Sequence, residues 1–376
     1  MSSSIGKILK ITIFGESHSQ AIGLTIDGFP AGIKVDYEEI QKALNRRAPK
    51  EDFSTPRHEN DEVVFLSGVF NDITTGSPIT FIINNKDVKS DDYIKGEIRP
   101  SHADLSSYLK YDGFNDYRGG GATSGRLTVA LVVLGSLCRQ ILKEQGISLG
   151  THILSLKGLY DREFDLNQIS YDIEILKEGF PVLDKNKASE MLELMEKTKE
   201  NKDSIGGVME SVVIGVPAGL GEPYFDSLES NISQLLFSIG GVKGVLFGDG
   251  IDFANKFGSE LNDELRYVDG NIKYLSNHNG GINGGISNGQ PIIIKSIIKP
   301  VSSIGLVQKS INVETKENID LKIKGRHDSC ILPRVKEVID AVLAYAILDA
   351  LMVYKARKLW LNTDLLDLTS QTLFQS

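Results

Sequence analysis

Apolar and polar residues alternate from Leu9 to Phe14, and short apolar runs return at Val63 to Leu66 and Pro78 to Ile83, each bounded by Gly, Asp, Asn or Pro. A two-residue period closed by turn formers predicts β-strands. Between them Tyr37 to Asn45 carries a helical spacing. Ser124 to Glu144 does the same, starting directly after a glycine run and stopping near Gly146, so its N-terminus should lie against those glycines. From Thr151 to Asp203 the chain turns charged and leucine-rich, and Lys187 to Lys202 predicts an exposed amphipathic helix. Strand-like text resumes at Val208 to Val216, Gly244 to Phe247 and Pro291 to Ile298, and Lys336 to Leu359 predicts a long C-terminal helix.

Helices and strands are mixed without the strict alternation of a doubly wound parallel sheet, which points to an α+β fold with mainly antiparallel sheets. Repeats, low-complexity tracts and linkers rich in Pro, Gly and Ser are missing. The expectation is a single domain over residues 1–360 with a loosely attached tail at 361–376.

Composition narrows the function classes. At 376 residues, 41% hydrophobic and 24% charged, the chain can bury a large core. The apolar run Val129 to Leu134, extended to Cys138, reads as too short to span a bilayer, and the N-terminus lacks a signal-peptide cleavage site, so the expected location is the cytoplasm. Cys138 and Cys330 suit a reducing compartment without a disulfide framework. A net charge of −9 argues against nucleic acid as the partner. An anionic ligand must then be held by arginines gathered locally where water does not screen them.

Three of the six histidines stand in polar, glycine-flanked text beside other functional groups: His18 in GESHSQ, His102 in RPSHAD and His327 in GRHDSC. His58, His152 and His278 look less organised, and for His58 and His152 a surface or hydrogen-bonded structural role is the better reading. Metal-ligand spacings such as H-x-x-H, H-E-x-x-H and C-x-x-C do not occur, so no dedicated metal site is expected. RGGGATSGR, Arg118 to Arg126, places flexible backbone and hydroxyls before a helix start, where an anion is favoured, although a tight packing turn explains it equally well. KPVSS, Lys299 to Ser303, offers an ammonium and two hydroxyls, or is simply a strand-ending turn on Pro300. Arg46, Arg47, Arg57, Arg99, Arg118, Arg126 and Arg326 fall in turns or beside glycines, where a substrate with several carboxylate or phosphate groups would use them.

With GESH at Gly15 to His18, RPSHAD at Arg99 to Asp104, SGR at Ser124 to Arg126, GVPAGLGEP at Gly215 to Pro223, NGGINGGISNG at Asn279 to Gly289 and GRHD at Gly325 to Asp328, the chain resembles chorismate synthase collinearly from about Gly6 to about Leu359. The resemblance implies a β-α-β sandwich of paired antiparallel sheets with surrounding helices, usually a homotetramer. It implies conversion of 5-enolpyruvylshikimate 3-phosphate to chorismate and phosphate, a 1,4-elimination that needs reduced FMN without net oxidation. Carried over to this chain, it makes His18, His102 and Asp328 catalytic and Arg46, Arg47, Arg57, Arg99 and Arg126 substrate contacts. FMN would meet Ala122, Thr123, Ser124, Gly240, Gly241, Gly284, Lys299, Pro300, Val301, Ser302, Ser303 and Arg326. Bifunctional members reduce their own flavin with NADPH, but no separate nicotinamide domain is visible, so a monofunctional enzyme is expected. Two other readings stay open at this stage: a flavin-binding protein without catalysis, and a flavin reductase.

Departures from the family pattern sharpen the expectations. Ser19 stands where Gly or Cys is usual, Asp340 where Glu is frequent, and RRAPKEDFSTPR, Arg46 to Arg57, is shorter than the usual loop. Ser101 stands where Gly is common, and serine fits there without strain only if φ is not positive.

Overall fold

The computed structural model describes residues 3–48, 61–86, 93–323 and 328–359. Arg57, His58, Arg326, His327 and the tail from Leu361 lie outside the described residues. Two five-stranded sheets, antiparallel throughout, carry the fold. The first runs Ser4–Ile5, Lys10–Gly15, Ala21–Asp27, Ile79–Asn84, Val63–Ser67 in spatial order, and the second Val242–Phe247, Ile292–Ile298, Gly207–Ile214, Ser148–Leu156, Leu159–Tyr160. In Ile79–Asn84 and Ile292–Ile298 buried and less buried positions alternate, which is the two-residue period of the sequence turned into one face toward the core.

The helices are α1 (Tyr37–Arg47), α2 (Asp104–Lys110), α3 (Thr128–Glu144), α4 (Ile169–Ile175), α5 (Lys185–Glu200), α6 (Leu228–Ser238), α7 (Gly258–Leu261) and α8 (Leu332–Leu359). α3 packs on α1, on α8 and on strand Ala21–Asp27, while α8 packs on Ser148–Leu156, Gly207–Ile214 and α6. The long helices thus stand between the sheets in the layer order sheet, helices, sheet. A helix covered on all sides must be apolar all round, and α3 buries eleven of its residues, from Val129 to Leu142. Gly135 lets α3 and α8 touch, because a Cβ there would lie 2.3 Å from the Cα of Ala341.

Several boundaries differ from the sequence expectation for identifiable reasons. Gly125–Leu127 forms a 3₁₀ turn, so α3 proper begins at Thr128, with the Ser124 side chain accepting from the Arg126 N–H. α8 begins at Leu332, four residues before Lys336, because Pro333 sits in the first turn, where its missing N–H costs nothing. The expected exposed helix runs Lys185–Glu200 and buries Met191 and Met195. The apolar run ending at Cys138 undercounts its helix: the stretch Gly125–Glu144 is long and apolar enough to cross a membrane by length and composition, with 67% of its most apolar window buried inside the fold. Cys138 and Cys330 are both buried free thiols, and burial pushes the Cys330 thiol up to about 12.

One buried polar knot ties the central helices. Glu337, fully buried on α8, meets Arg46 from α1 at 2.9 Å and Arg139 from α3 at 2.5 Å, with Lys336 at 3.7 Å. Burial alone would raise the carboxyl, but Arg139, Lys336 and Arg46 outweigh it and hold it well below the usual carboxylate range.

Candidate active site

The centre of the site is three consecutive glycines. Gly119, Gly120 and Gly121 have φ of 60°, 86° and 53°, a left-handed run that side chains rarely tolerate. Two loops from distant parts of the chain use the missing side chains. A Cβ on Gly119 would lie 2.4 Å from Cε1 of His18 and 2.5 Å from Oγ of Ser17, and one on Gly120 would lie 3.0 Å from Cε1 of His102. The two histidines therefore press on neighbouring residues of one turn.

His18 is delivered by the turn after strand Lys10–Gly15. The Ser17 N–H donates to the Gly121 carbonyl at 3.1 Å, tying this turn to the glycines. Ser19 accepts from the Glu16 N–H at 3.0 Å, and its hydroxyl lies 2.9 and 2.8 Å from the Glu16 and Ala21 carbonyls, so the serine closes the turn in a way glycine cannot. Asn85 donates to the carbonyls of Glu16 and Ser19. The His18 ring meets Tyr93 edge-on, with centroids 5.3 Å apart.

His102 belongs to a loop braced by its own motif. Asp104 Oδ1 lies 2.6 Å from His102 Nδ1, and Arg99 donates to Asp104 from its backbone N–H, Nε and Nη2 at 3.1, 2.7 and 2.8 Å. Burial would raise the Asp104 carboxyl, but the hydrogen bonds from Arg99 and His102 prevail and hold it well below the usual carboxylate range. Ser101 has φ of 58°, so the serine found where glycine is common does sit in the strained region. Its carbonyl accepts from Lys299 Nζ at 2.6 Å and Ser302 Oγ at 3.0 Å, which brings the KPVSS segment beside the histidine loop. Ser204 Oγ donates to the Val301 carbonyl, fixing the turn that Pro300 opens. Burial and the neighbouring Lys243 push the Lys299 ammonium below its ordinary value.

The remaining predicted residues fall into three groups. Thr123 donates to the Gly120 carbonyl and Ser124 lies 3.3 Å from Ser17 Oγ, so both adjoin the glycine turn, with Ala122 exposed just before them. Gly241 accepts from the Lys299 N–H, and a Cβ on Gly240 would meet nothing within 4 Å, an open surface next to Lys299. Arg126 pairs with Asp61 at 2.7 Å and donates to Asn85, while the buried Arg47 donates to the Gly125 carbonyl and Thr128. Asp328 accepts from Arg334 Nη1 at 2.5 Å, and Arg334 Nε reaches the Arg47 carbonyl, which links Asp328 to the SGR segment. Two residues stand apart from this assembly. Arg46 points into the knot with Glu337 and Glu39. Gly284 is exposed in the hairpin Ile282 to Ser287, where a Cβ on it would meet nothing within 4 Å, while its neighbour Gly285 packs against Glu222 and Ser227. A cavity of about 590 Å³ between Lys7, Gly219, Leu235 and Tyr354 contains none of the predicted residues. Among the described residues no group of three or more His, Cys, Asp or Glu side chains is arranged to hold a metal.

The sequence profile described as Chorismate synthase matches residues 9–352. The chorismate synthase of Korarchaeum cryptofilum is 41% identical over 352 residues, covering 92% of this chain and 96% of the relative. That of Thermococcus gammatolerans is 41% identical over 354 residues, covering 93% and 98%. The chain belongs to the chorismate synthase family. A solved crystal structure of chorismate synthase superposes with a TM-score of 0.75 at 28% identity, over 93% of each chain, so the sheet–helix–sheet architecture is shared. As a chorismate synthase the chain is a lyase of the shikimate pathway.

Some residues of this chorismate synthase site carried no assignment from sequence. Asp104 sits inside RPSHAD, two residues after His102, a signal present in the motif and left unread. Asn85, Tyr93 and Arg334 stand in no quoted motif, and only the fold places them against His18, Arg126 and Asp328.

Proposed function

We propose that the chain eliminates phosphate from 5-enolpyruvylshikimate 3-phosphate in the 1,4-anti sense to give chorismate, with reduced FMN required but not consumed, in aromatic amino-acid biosynthesis. The observation that carries this reading is the placement of His18 and His102 on adjacent glycines of one turn, with the Lys299 to Ser303 segment hydrogen-bonded to the His102 loop. What supports a phosphorylated cofactor is the donor set. Burial and then the neighbouring Lys243 disfavour the charge on Lys299, and an anion beside it would relieve that cost next to the open backbone of Gly240. Ala122, Thr123, Ser124, Lys299, Pro300, Val301, Ser302, Ser303, Gly240 and Gly241 would hold it, joined by Arg326. When bound, reduced FMN supplies the electron density that lets the phosphate depart and that is regained as the ring hydrogen is lost.

The chain's own groups manage protons and charge. His18 donates to the departing phosphate, His102 holds a proton at the cofactor's edge, and Asp328, braced by Arg334, assists removal of the ring hydrogen. Arg47, Arg57, Arg99 and Arg126 neutralise the substrate's carboxylates and phosphate. Arg46, already facing Glu39 and Glu337, supports them from behind. NADPH serves only as an outside reductant, and the working form is a cytoplasmic homotetramer.

Anaerobic turnover with chemically reduced FMN tests the reading, with chorismate absorbance and phosphate release followed together. Equal amounts of both products with reduced flavin, and none with oxidised flavin, are expected. Flavin binding without turnover would leave a cofactor-binding protein.

A further inference from the structure

We propose that Asp104 is a positioning residue for His102, fixing the imidazole as the Nδ1–H tautomer so that Nε2 is the nitrogen presented to the glycine turn. The inference rests on the reading of His102 as a proton-holding group, and it concerns how that group is prepared. An ionised carboxylate only accepts hydrogen bonds, so the 2.6 Å contact from Asp104 Oδ1 to His102 Nδ1 requires a hydrogen on Nδ1. Arg99 Nη2, 3.1 Å from the same nitrogen, is then a neighbour and not a donor to it. The carboxylate cannot turn away, because Arg99 holds both its oxygens and does so from backbone and side chain together. Only 12% of the Asp104 side chain is exposed, against 21% for His102, so the carboxylate is the less solvated of the pair.

The consequence is directional. With Nδ1 occupied, the proton that His102 gains or loses resides on Nε2, and a Cβ on Gly120 would lie 3.5 Å from that atom. Nε2 meets no polar partner among the described residues. The same side chain that orients the ring also anchors Arg99, one of the proposed substrate contacts, so one carboxylate sets a proton-holding atom and a guanidinium in fixed relation.

The test uses the full chain labelled with ¹⁵N-histidine and long-range ¹H–¹⁵N correlation spectra at a pH where an ordinary histidine is neutral, with His102→Gln to assign the ring. Wild type should report Nδ1–H for His102. Asp104→Asn, which keeps the shape but adds a donor, should shift the ring toward Nε2–H and lower kcat by about 10²-fold. Flavin affinity should change far less. A wild-type ring found as Nε2–H overturns the assignment without any variant, as does Asp104→Asn with an unchanged tautomer and undiminished kcat. Arg99→Gln, which removes the side-chain clamp but keeps the carboxylate as an acceptor, should loosen the preference for Nδ1–H less than Asp104→Asn does. Should His102→Gln turn over at the wild-type rate, the reading of His102 as a proton-holding group falls, while the spectrum still decides what Asp104 does.

Discussion

His152 and His102 both meet carboxylates at hydrogen-bonding distance, and they do opposite things. His152 lies inside strand Ser148–Leu156, fully buried, with Nδ1 3.1 Å from Asp161 and Nε2 3.0 Å from Glu210. Glu210 is its cross-strand partner in the second sheet, and Asp161 also accepts from the N–H groups of Leu183 and Asp184. Glu210 further accepts from the Phe164 N–H and faces Lys295 at 3.9 Å, which itself pairs with Glu163. Both ring nitrogens are taken, so His152 stitches the segment around residues 161–184 to the sheet and has no atom left for a substrate. His102 is partly exposed, with one nitrogen taken and the other turned toward Gly120 of the glycine turn. A histidine beside a carboxylate is not yet a catalytic pair; the unengaged nitrogen and what it faces decide.

The largest effect that could break this contrast is on turnover. His18→Ala and His102→Ala should each lower kcat by about 10²- to 10⁴-fold, while the urea midpoint stays near wild type. His152→Gln should do the reverse. If His152→Gln lost turnover per folded molecule on the same scale, the division between the two histidines would fail.

Next in size is stability. His152→Gln leaves Asp161 and Glu210 buried without their shared cation, and removing one partner of such a set costs about 3–5 kcal/mol. Urea unfolding followed by circular dichroism measures it, and a change below about 1 kcal/mol would show the network to be incidental.

The pH dependence sharpens the same point. Burial would lower the His152 pKa, but the hydrogen bonds to Asp161 and Glu210 outweigh it and raise it. The stabilisation is therefore complete below the unfolded value of about 6.5 and is lost as pH rises through the folded value. Asp161 is shifted down, burial being overcome by His152 and two backbone N–H groups, so its share is present above about 3.9 and lost as acid carries the pH through the folded value. Wild type minus His152→Gln should therefore be greatest between those limits and shrink on either side.

How much of this was legible in the sequence follows from what each signal measures. The strands Lys10–Gly15 and Ile79–Asn84 were visible because alternation reports which face is buried. The layer order was not, since the apolar pattern of α3 says that it is covered but not by what, and the close contact of Gly135 with Ala341 joins residues far apart in sequence. His18 and His102 were marked by the glycines and polar residues around them, yet their meeting on Gly119 and Gly120 is a property of three loops at once. Arg46 was expected to face an anion, and its counterion Glu337 comes from the far end of the chain. Asp104 needed no long-range information: it lies two residues from His102 in the same motif, close enough for its carboxylate to meet Nδ1.

The smallest expected effect concerns the backbone that carries His102. Ser101 adopts φ of 58°, where an L side chain costs roughly 1 kcal/mol relative to glycine, while its carbonyl is held by Lys299 and Ser302. The strain persists because those two donors determine where the carbonyl points. Ser101→Gly should relieve it and raise stability by somewhat less than 1 kcal/mol, since the freer glycine also gains entropy in the unfolded chain. Thermal unfolding of the two proteins side by side measures the difference. His152, in the second sheet, should be indifferent to the change, so the His152→Gln destabilisation should add to it; a clear departure from additivity would mean that the buried and the accessible histidine sites are mechanically joined and the contrast between them is not a division of the molecule.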